Sequence, residues 1–99
     1  MLPNVLLSQG EIMDDLSRGD EARDIYKYIL KVKEWRGIVH ARALFQTGVS
    51  FLNENEPEKA HGFFERTFLG YSHFVEWSSK AYLFDAEALV AMNAPADAI

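Results

Sequence analysis

The sequence predicts an all-α protein, and three observations lead to that prediction. Similar residues recur every 38 positions, apolar side chains recur at about 3.6-residue intervals, and helix-breaking residues separate the apolar stretches. No stretch alternates apolar and polar residues with period two for long enough to form a strand. The chain is therefore expected to be a row of helices joined by short turns.

The first hairpin is expected to contain helices at about 4–17 and 20–36. The first helix carries an apolar stripe at Leu6, Met13 and Leu16 and ends at the polar segment 17–20. The second begins with acidic residues, where the helix dipole favours anions. It ends with three basic residues, where the dipole favours cations: Lys31, Lys33 and Arg36.

The second hairpin is expected to contain helices at about 38–53 and 57–73. Between them, Asn55 tolerates the left-handed conformation that ends a helix, and Pro57 suits the first turn of the next one. Gly62 and Gly70 fall inside the fourth helix, where each glycine costs ~1 kcal/mol relative to alanine. We expect these two glycines to allow close packing.

A fifth helix is predicted at about 76–92, and a sixth barely begins at Pro95. The chain thus forms a single domain or fragment, 1–99, with units at about 3–38, 41–76 and 79–99, the last truncated. Small residues occupy two positions of the unit: Gly10, Gly48 and Ala86, and Ala22, Ala60 and Ala98. A polar turn position and an aromatic position keep the same spacing: Ser17, Asn55 and Asn93, and Tyr26 and Phe64.

These columns have a steric explanation. Two helices can cross closely only where one of them carries a residue with almost no side chain. The glycine column is therefore expected to face the alanine column within each hairpin. The aromatic residue one turn after the alanine would fill the wedge between the hairpin and the following unit. One hairpin cannot bury both faces of its helices, so neighbouring units must stack.

The unit resembles the tetratricopeptide repeat, whose motif is W-x2-L-G-x2-Y followed by A-x3-F. The middle unit reads Leu44-x2-Thr47-Gly48-x2-Phe51 and then Ala60-x3-Phe64. The first reads Leu6-x2-Gln9-Gly10-x2-Met13 and then Ala22-x3-Tyr26, and the third reads Tyr82-x2-Asp85-Ala86-x2-Leu89. The chain differs in its longer period and in the polar residue before the small one. The segment 71–82 is similar to the long connector of bacterial cell-envelope members of the family.

The resemblance implies a right-handed solenoid of stacked antiparallel helix pairs, with five helices plus the start of a sixth. It also implies a non-catalytic scaffold, because the first helices of such units line a concave groove that binds peptides or proteins. The implied groove residues are Leu7, Glu11, Arg42, Phe45, Val49, Leu52, Lys80, Leu83 and Glu87. Arg42 and Lys80, adjacent on one rim, would fit an acidic residue or a chain terminus.

Self-association is the alternative function. The third unit has its first helix but only five residues of its second, so the apolar side of the fifth helix would remain open. Tyr82, Ala86 and Leu89 would then contact a further repeat of a longer solenoid or a second copy of the chain. This alternative predicts a homo-oligomer, whereas the scaffold requires none.

The composition narrows the possible partners. Fifteen acidic and ten basic residues give a net charge of −5, without the basic footprint of nucleic-acid-binding proteins, so no nucleic-acid partner is expected. No apolar run approaches the ~18 residues that cross a bilayer, so no direct membrane insertion is expected. Cysteine is absent and the three histidines are not spaced as ligands, which predicts no metal, cofactor or catalytic residue. No targeting signal is recognisable, which leaves a cytoplasmic or a bacterial periplasmic location open.

Overall fold

The computed structural model describes residues 2–93, which form five α-helices and one short 3-10 helix. The helices are α1 (Leu2–Asp15), α2 (Gly19–Lys31), α3 (Ile38–Asn53), α4 (Pro57–Gly70) and α5 (Val75–Asn93). The 3-10 helix, Lys33–Trp35, lies between α2 and α3. Residues 2–93 contain no β-strand, so the all-α prediction is confirmed. The expected sixth helix at Pro95 and the alanine column at Ala98 lie outside the described residues.

Helix α3 is the centre of the packing. Each helix packs against the next one along the chain, and α3 also contacts α1 and α5. Two apolar cores result, one on each side of α3. The first contains Leu7, Ala22, Tyr26, Ile29 and Ala43, and the second contains Phe45, Ala60, Phe64, Ala81 and Ala88.

The two hairpin turns, which are 38 residues apart, have the same backbone geometry. Ser17 and Asn55, one repeat apart, both adopt left-handed backbone conformations, with φ of 60° and 61°. The amide of Arg18 donates to the carbonyl of Met13 at 2.8 Å, and the equivalent bond from Glu56 to Phe51 measures 2.9 Å. These bonds satisfy carbonyls at the helix end, which is why each turn closes in the same way.

The small-residue columns also lie in equivalent surroundings. A Cβ atom added at Gly10 would come within 2.4 Å of the Tyr26 ring, and one added at Gly48 within 2.5 Å of the Phe64 ring. Each ring therefore lies directly against the glycine of its own hairpin, closer than the wedge position that the sequence suggested. Ala22 and Ala60 are fully buried beside them. Ala86, the third member of the glycine column, is exposed.

Three expectations about α2 and α4 were wrong. Helix α2 ends at Lys31, five residues earlier than predicted, because Val32 is extended and accepts a hydrogen bond from Nε2 of His40 at 3.0 Å. Helix α4 ends at Gly70 instead of residue 73. A Cβ at Gly62 or Gly70 would meet no atom within 4 Å, so neither glycine serves close packing within residues 2–93.

Candidate functional site

The structure brings together the two basic residues that the sequence placed on the rim of the groove. The guanidinium carbon of Arg42 on α3 lies 5.0 Å from the ring centroid of Trp77, and the ammonium of Lys80 lies 4.5 Å from the same centroid. Both cations are attracted to the indole π-system, which holds their flexible side chains against the same ring. We call Arg42, Trp77 and Lys80 the cation–indole cluster.

Glu11 borders this cluster from α1. Its carboxylate accepts a hydrogen bond from Nε2 of Gln46 at 2.8 Å and lies 4.0 Å from Arg42 Nη2. The Nε atom of Arg42 is buried and has no hydrogen-bond partner among residues 2–93. Lys80 pairs with Glu76 one turn earlier, at 3.4 Å on the helix surface. Because surface pairs of this kind contribute little, Arg42 and Lys80 keep the capacity to bind an incoming carboxylate.

The apolar floor of the expected groove is smaller than the sequence suggested. Leu7 is fully buried in the first core, between α2 and α3. Phe45 is 5% exposed, because Trp77 and Phe84 from α5 pack over its ring at 5.8 and 5.1 Å. Placing Leu7 and Phe45 on an open surface was therefore wrong, and both residues belong to the core.

The remaining groove residues are partly or fully accessible. Val49 and Leu52 are half-buried at the edge of the second core, while Leu83 is 67% exposed and Glu87 is exposed. Lys80, Leu83, Glu87 and Val90 are spaced by three and four residues, so they lie along one stripe of α5. The accessible part of the expected groove thus runs from the cation–indole cluster along this stripe.

The opposite edge of α5 carries a second apolar surface. Tyr82 is 66% exposed, and Ala86 and Leu89 are also exposed. In α1 and α3 the positions equivalent to Ala86 are Gly10 and Gly48, which lie under Tyr26 and Phe64 of the following helix. The described part of the chain contains no helix that covers this surface of α5.

A polar network joins α1, α2 and α3 beside the first core. The hydroxyl of Ser50 donates to Asp14 at 2.7 Å and accepts from Arg23 at 2.8 Å, and Arg23 also donates to both carboxylate oxygens of Glu54 at 3.0 Å. Burial raises the pKa of the Asp14 carboxyl above 3.8, and hydrogen bonds from Ser50 and Tyr26 only partly oppose this. The hydrogen bonds from Arg23 lower the pKa of Glu54 below 4.5.

The network predicts a specific pH dependence for an Asp14→Asn variant. A raised native pKa means that folding favours the protonated carboxyl, so Asp14 contributes more stability below 3.8 and loses it as the pH rises through the native pKa. Asparagine does not ionise. In urea unfolding, we expect the free energy of unfolding of the variant, relative to that of the wild type, to increase as the pH rises from about 3.5 to 7.

The exposed neighbour Asp15 provides the control for this prediction. Asp15→Asn makes the same substitution outside the network of Ser50 and Arg23, and it should show no comparable change. A difference for Asp14→Asn that stays constant over this pH range would contradict the buried position of the carboxyl.

His61 lies between two carboxylates where α4 meets α5. Its Nδ1 is 2.7 Å from Oδ1 of buried Asp85, and its Nε2 is 3.6 Å from Glu65. Asp85 occupies the polar position before the small residue of the third unit, and its pairing with His61 explains how a carboxylate is tolerated there. No group of three or more potential ligands within residues 2–93 is arranged to hold a metal ion.

Sequence reasoning missed a groove between α2 and α4. Its floor is one face of α3, formed by His40, Leu44, Thr47 and Phe51, which are spaced by four, three and four residues. Two adjoining cavities of about 730 and 550 Å³ occupy it. Six Lys and Arg side chains line it, so we call it the basic groove: Arg23, Lys27, Lys31, Lys33, Arg36 and Arg66. The only sequence signal was the run of four basic residues and one acidic residue between positions 27 and 36.

Comparison with known proteins assigns no relative to this chain. None of the helices within residues 2–93 is long and apolar enough to cross a membrane. No family model matches the sequence, and neither a curated protein nor a solved structure is significantly similar to it. The function of the chain is therefore inferred from the residues and contacts described above.

Proposed function

We propose that the protein is a non-catalytic interaction scaffold that binds a peptide or protein segment along the α5 stripe, next to the cation–indole cluster. The observation that carries the proposal is the convergence of Arg42 and Lys80 on Trp77 at 5.0 and 4.5 Å. Two cations held against one ring can bind a carboxylate, and Arg42 can do so with two parallel hydrogen bonds. Exposed Leu83 and Val90 then offer apolar contacts to the rest of the segment.

We further propose that the fold is a right-handed solenoid of the tetratricopeptide type. The repeated turns at Ser17 and Asn55, and the repeated contact of an aromatic ring with a glycine, support this assignment. The first helix α3 contacts both α1 and α5, while a groove separates the second helices α2 and α4. Such spacing would curve the row with the first helices on the concave side, where the cation–indole cluster lies.

Selection from a random peptide library displayed on phage tests the scaffold function. Selected peptides should carry a carboxylate, from a side chain or a chain terminus, beside an apolar residue. We expect the double variant Arg42→Gln, Lys80→Gln to lose at least about tenfold in affinity, because both donors to the carboxylate are weakened. Leu83→Ser should weaken the apolar part of the contact in the same assay.

Matched controls make the outcome interpretable. Arg18→Gln removes a cation at the first hairpin turn, and Leu16→Ser removes an exposed leucine of the same turn. Neither control should change the affinity by more than about twofold, while circular dichroism confirms that every variant is folded. The proposed site would be refuted if every selected peptide that Arg36→Glu leaves unaffected bound the Arg42→Gln, Lys80→Gln variant as well as the wild type.

Self-association through the second apolar surface of α5 is the second candidate function. The exposure of Tyr82, Ala86 and Leu89 favours it, since the equivalent faces of α1 and α3 are covered. Light scattering at high protein concentration distinguishes the two candidates. A dimer that Tyr82→Ser converts to a monomer would favour self-association, whereas a monomer at every concentration would count against it.

A further inference from the structure

We infer that the basic groove is a second binding site, which takes an acidic peptide segment containing apolar side chains. This site is distinct from the one proposed above. Its floor residues His40 and Leu44 lie on α3 roughly opposite to Arg42 and Val49, because successive residues of a helix are turned by about 100°. The same helix thus offers two separate surfaces.

The distribution of ion pairs carries the inference. The chain has ten Lys and Arg residues, and five of them lie within 4.0 Å of a carboxylate: Arg18, Arg23, Arg42, Lys59 and Lys80. The other five all line the basic groove, and none of these pairs with a carboxylate among residues 2–93, whereas Arg23 is the one paired cation of the groove. Although the protein is acidic, the unpaired cations of the described residues are therefore concentrated in the basic groove. Such a groove focuses a positive potential that attracts anionic segments.

The apolar lining determines what kind of anion fits. Leu30 from α2, Leu44 from α3 and Leu69 from α4 line the same cavity as Lys31, Lys33 and Arg36. Carboxylates of the occupant would contact the cations at the rim, and its apolar side chains would contact the leucines below. A small inorganic anion would leave the apolar surface uncovered.

Gly62 and Gly70 give an independent indication. Both line the cavity from α4, both lie in a helix where glycine is unfavourable, and a Cβ added at either position would meet no atom within 4 Å. Packing within the described chain does not explain them. Because these two positions carry no side chain, the groove has room for a segment that lies along α4.

A peptide fits the groove better than a nucleic acid does. Nucleic-acid sites offer open aromatic faces to the bases, but here Phe51 stacks on Phe63 at 5.7 Å, with Arg23 4.3 Å from its ring centroid and Arg66 5.2 Å from that of Phe63. Asp20 and Asp24 line the other end of the groove and would repel a continuous phosphate backbone. The basic end holds Lys31, Lys33, Arg36 and Arg66 against the single carboxylate of Glu65, so a peptide can place its acidic residues there.

Fluorescence anisotropy with a defined probe tests the inference. The probe is a fluorescein-labelled peptide of repeated Glu-Glu-Leu units, and the controls are the corresponding Gln-Gln-Leu peptide and an oligothymidylate of similar length. We expect the wild type to bind the Glu-Glu-Leu peptide, and to bind it more weakly as salt rises from about 50 to about 300 mM. The Gln-Gln-Leu peptide should bind at least about tenfold more weakly.

Variants locate the binding. Arg36→Glu and Arg66→Glu should each reduce the affinity about tenfold, whereas Arg18→Glu, which makes the same charge change outside the groove, should alter it by less than about threefold. Gly62→Leu should also weaken binding, because it fills the groove without changing any charge. Circular dichroism and thermal unfolding verify that each variant is folded.

Three results would overturn the inference. The first is a wild type that does not bind the Glu-Glu-Leu peptide at low salt. The second is equal binding by Arg36→Glu, Arg66→Glu and the wild type. The third is preferential binding of the oligothymidylate that the groove variants abolish, which would identify a nucleic-acid site instead.

Discussion

Phe64→Ala is expected to lower the free energy of unfolding by about 3–5 kcal/mol, which is a large part of the stability of a domain of this size. The ring of Phe64 is fully buried, lies against Gly48, and contacts the rings of Phe45 and Phe84 at 5.9 and 6.2 Å. Its loss would leave a cavity where α3, α4 and α5 meet. Urea unfolding followed by circular dichroism measures the effect.

Leu69→Ala serves as the control for Phe64→Ala. Leu69 lies on the same helix but is largely exposed, so its truncation should change the stability by less than about 0.5 kcal/mol. Phe64→Leu should have an intermediate effect because it leaves a smaller cavity. If Phe64→Ala cost no more than Leu69→Ala, the second core would be misplaced.

Alanine substitutions at Gly48 and Gly62 should have opposite effects, although both glycines lie inside helices. A Cβ at position 48 would come within 2.5 Å of Cε1 of the buried Phe64 ring, which has no free space to move. We expect overpacking of about 1–3 kcal/mol to outweigh the ~1 kcal/mol that alanine gains in helix propensity. At position 62 no atom lies within 4 Å, so Gly62→Ala should stabilise the protein by up to ~1 kcal/mol.

A double variant tests the cause of the Gly48 effect. Phe64→Leu replaces the ring with a smaller side chain, so Gly48→Ala should cost less in the Phe64→Leu background than in the wild type. Urea unfolding of the four proteins gives the coupling between the two positions. Additive effects would mean that the Phe64 ring is not what Gly48 makes room for.

The helices and the repeat could be predicted because they depend on local rules. Periodic apolar residues indicated the helices, and the left-handed turn at Asn55 follows from the tolerance of asparagine for that conformation. Ser17 adopts the same conformation with a less suitable residue, and only the 38-residue spacing indicated it. The end of α2 was missed because Val32 carries no breaking signal, and His40, eight residues away, determines where the helix stops.

The sites were less predictable because they depend on distances between helices. Phe45 was expected to be accessible, yet Trp77 and Phe84, more than thirty residues away in the sequence, cover it. The way α5 packs on α3 is not evident from the residues around Phe45. The adjacency of Arg42 and Lys80 did follow from the repeat, since the two positions are 38 residues apart. The basic groove escaped notice because Arg66 joins the cations of segment 27–36 only through the packing of α4 on α3.

Because the turns at Ser17 and Asn55 match, we expect that the chain can be lengthened by inserting whole 38-residue units. A copy of residues 18–55 inserted after Asn55 would begin and end on the same backbone geometry, and each grafted helix would find a glycine or an aromatic ring in the place where its original found one. Lengthened proteins built in this way should gain cooperativity with each added module, as one-dimensional arrays do. An insert of any other length would not place the glycines and aromatic rings of the added helices opposite their partners.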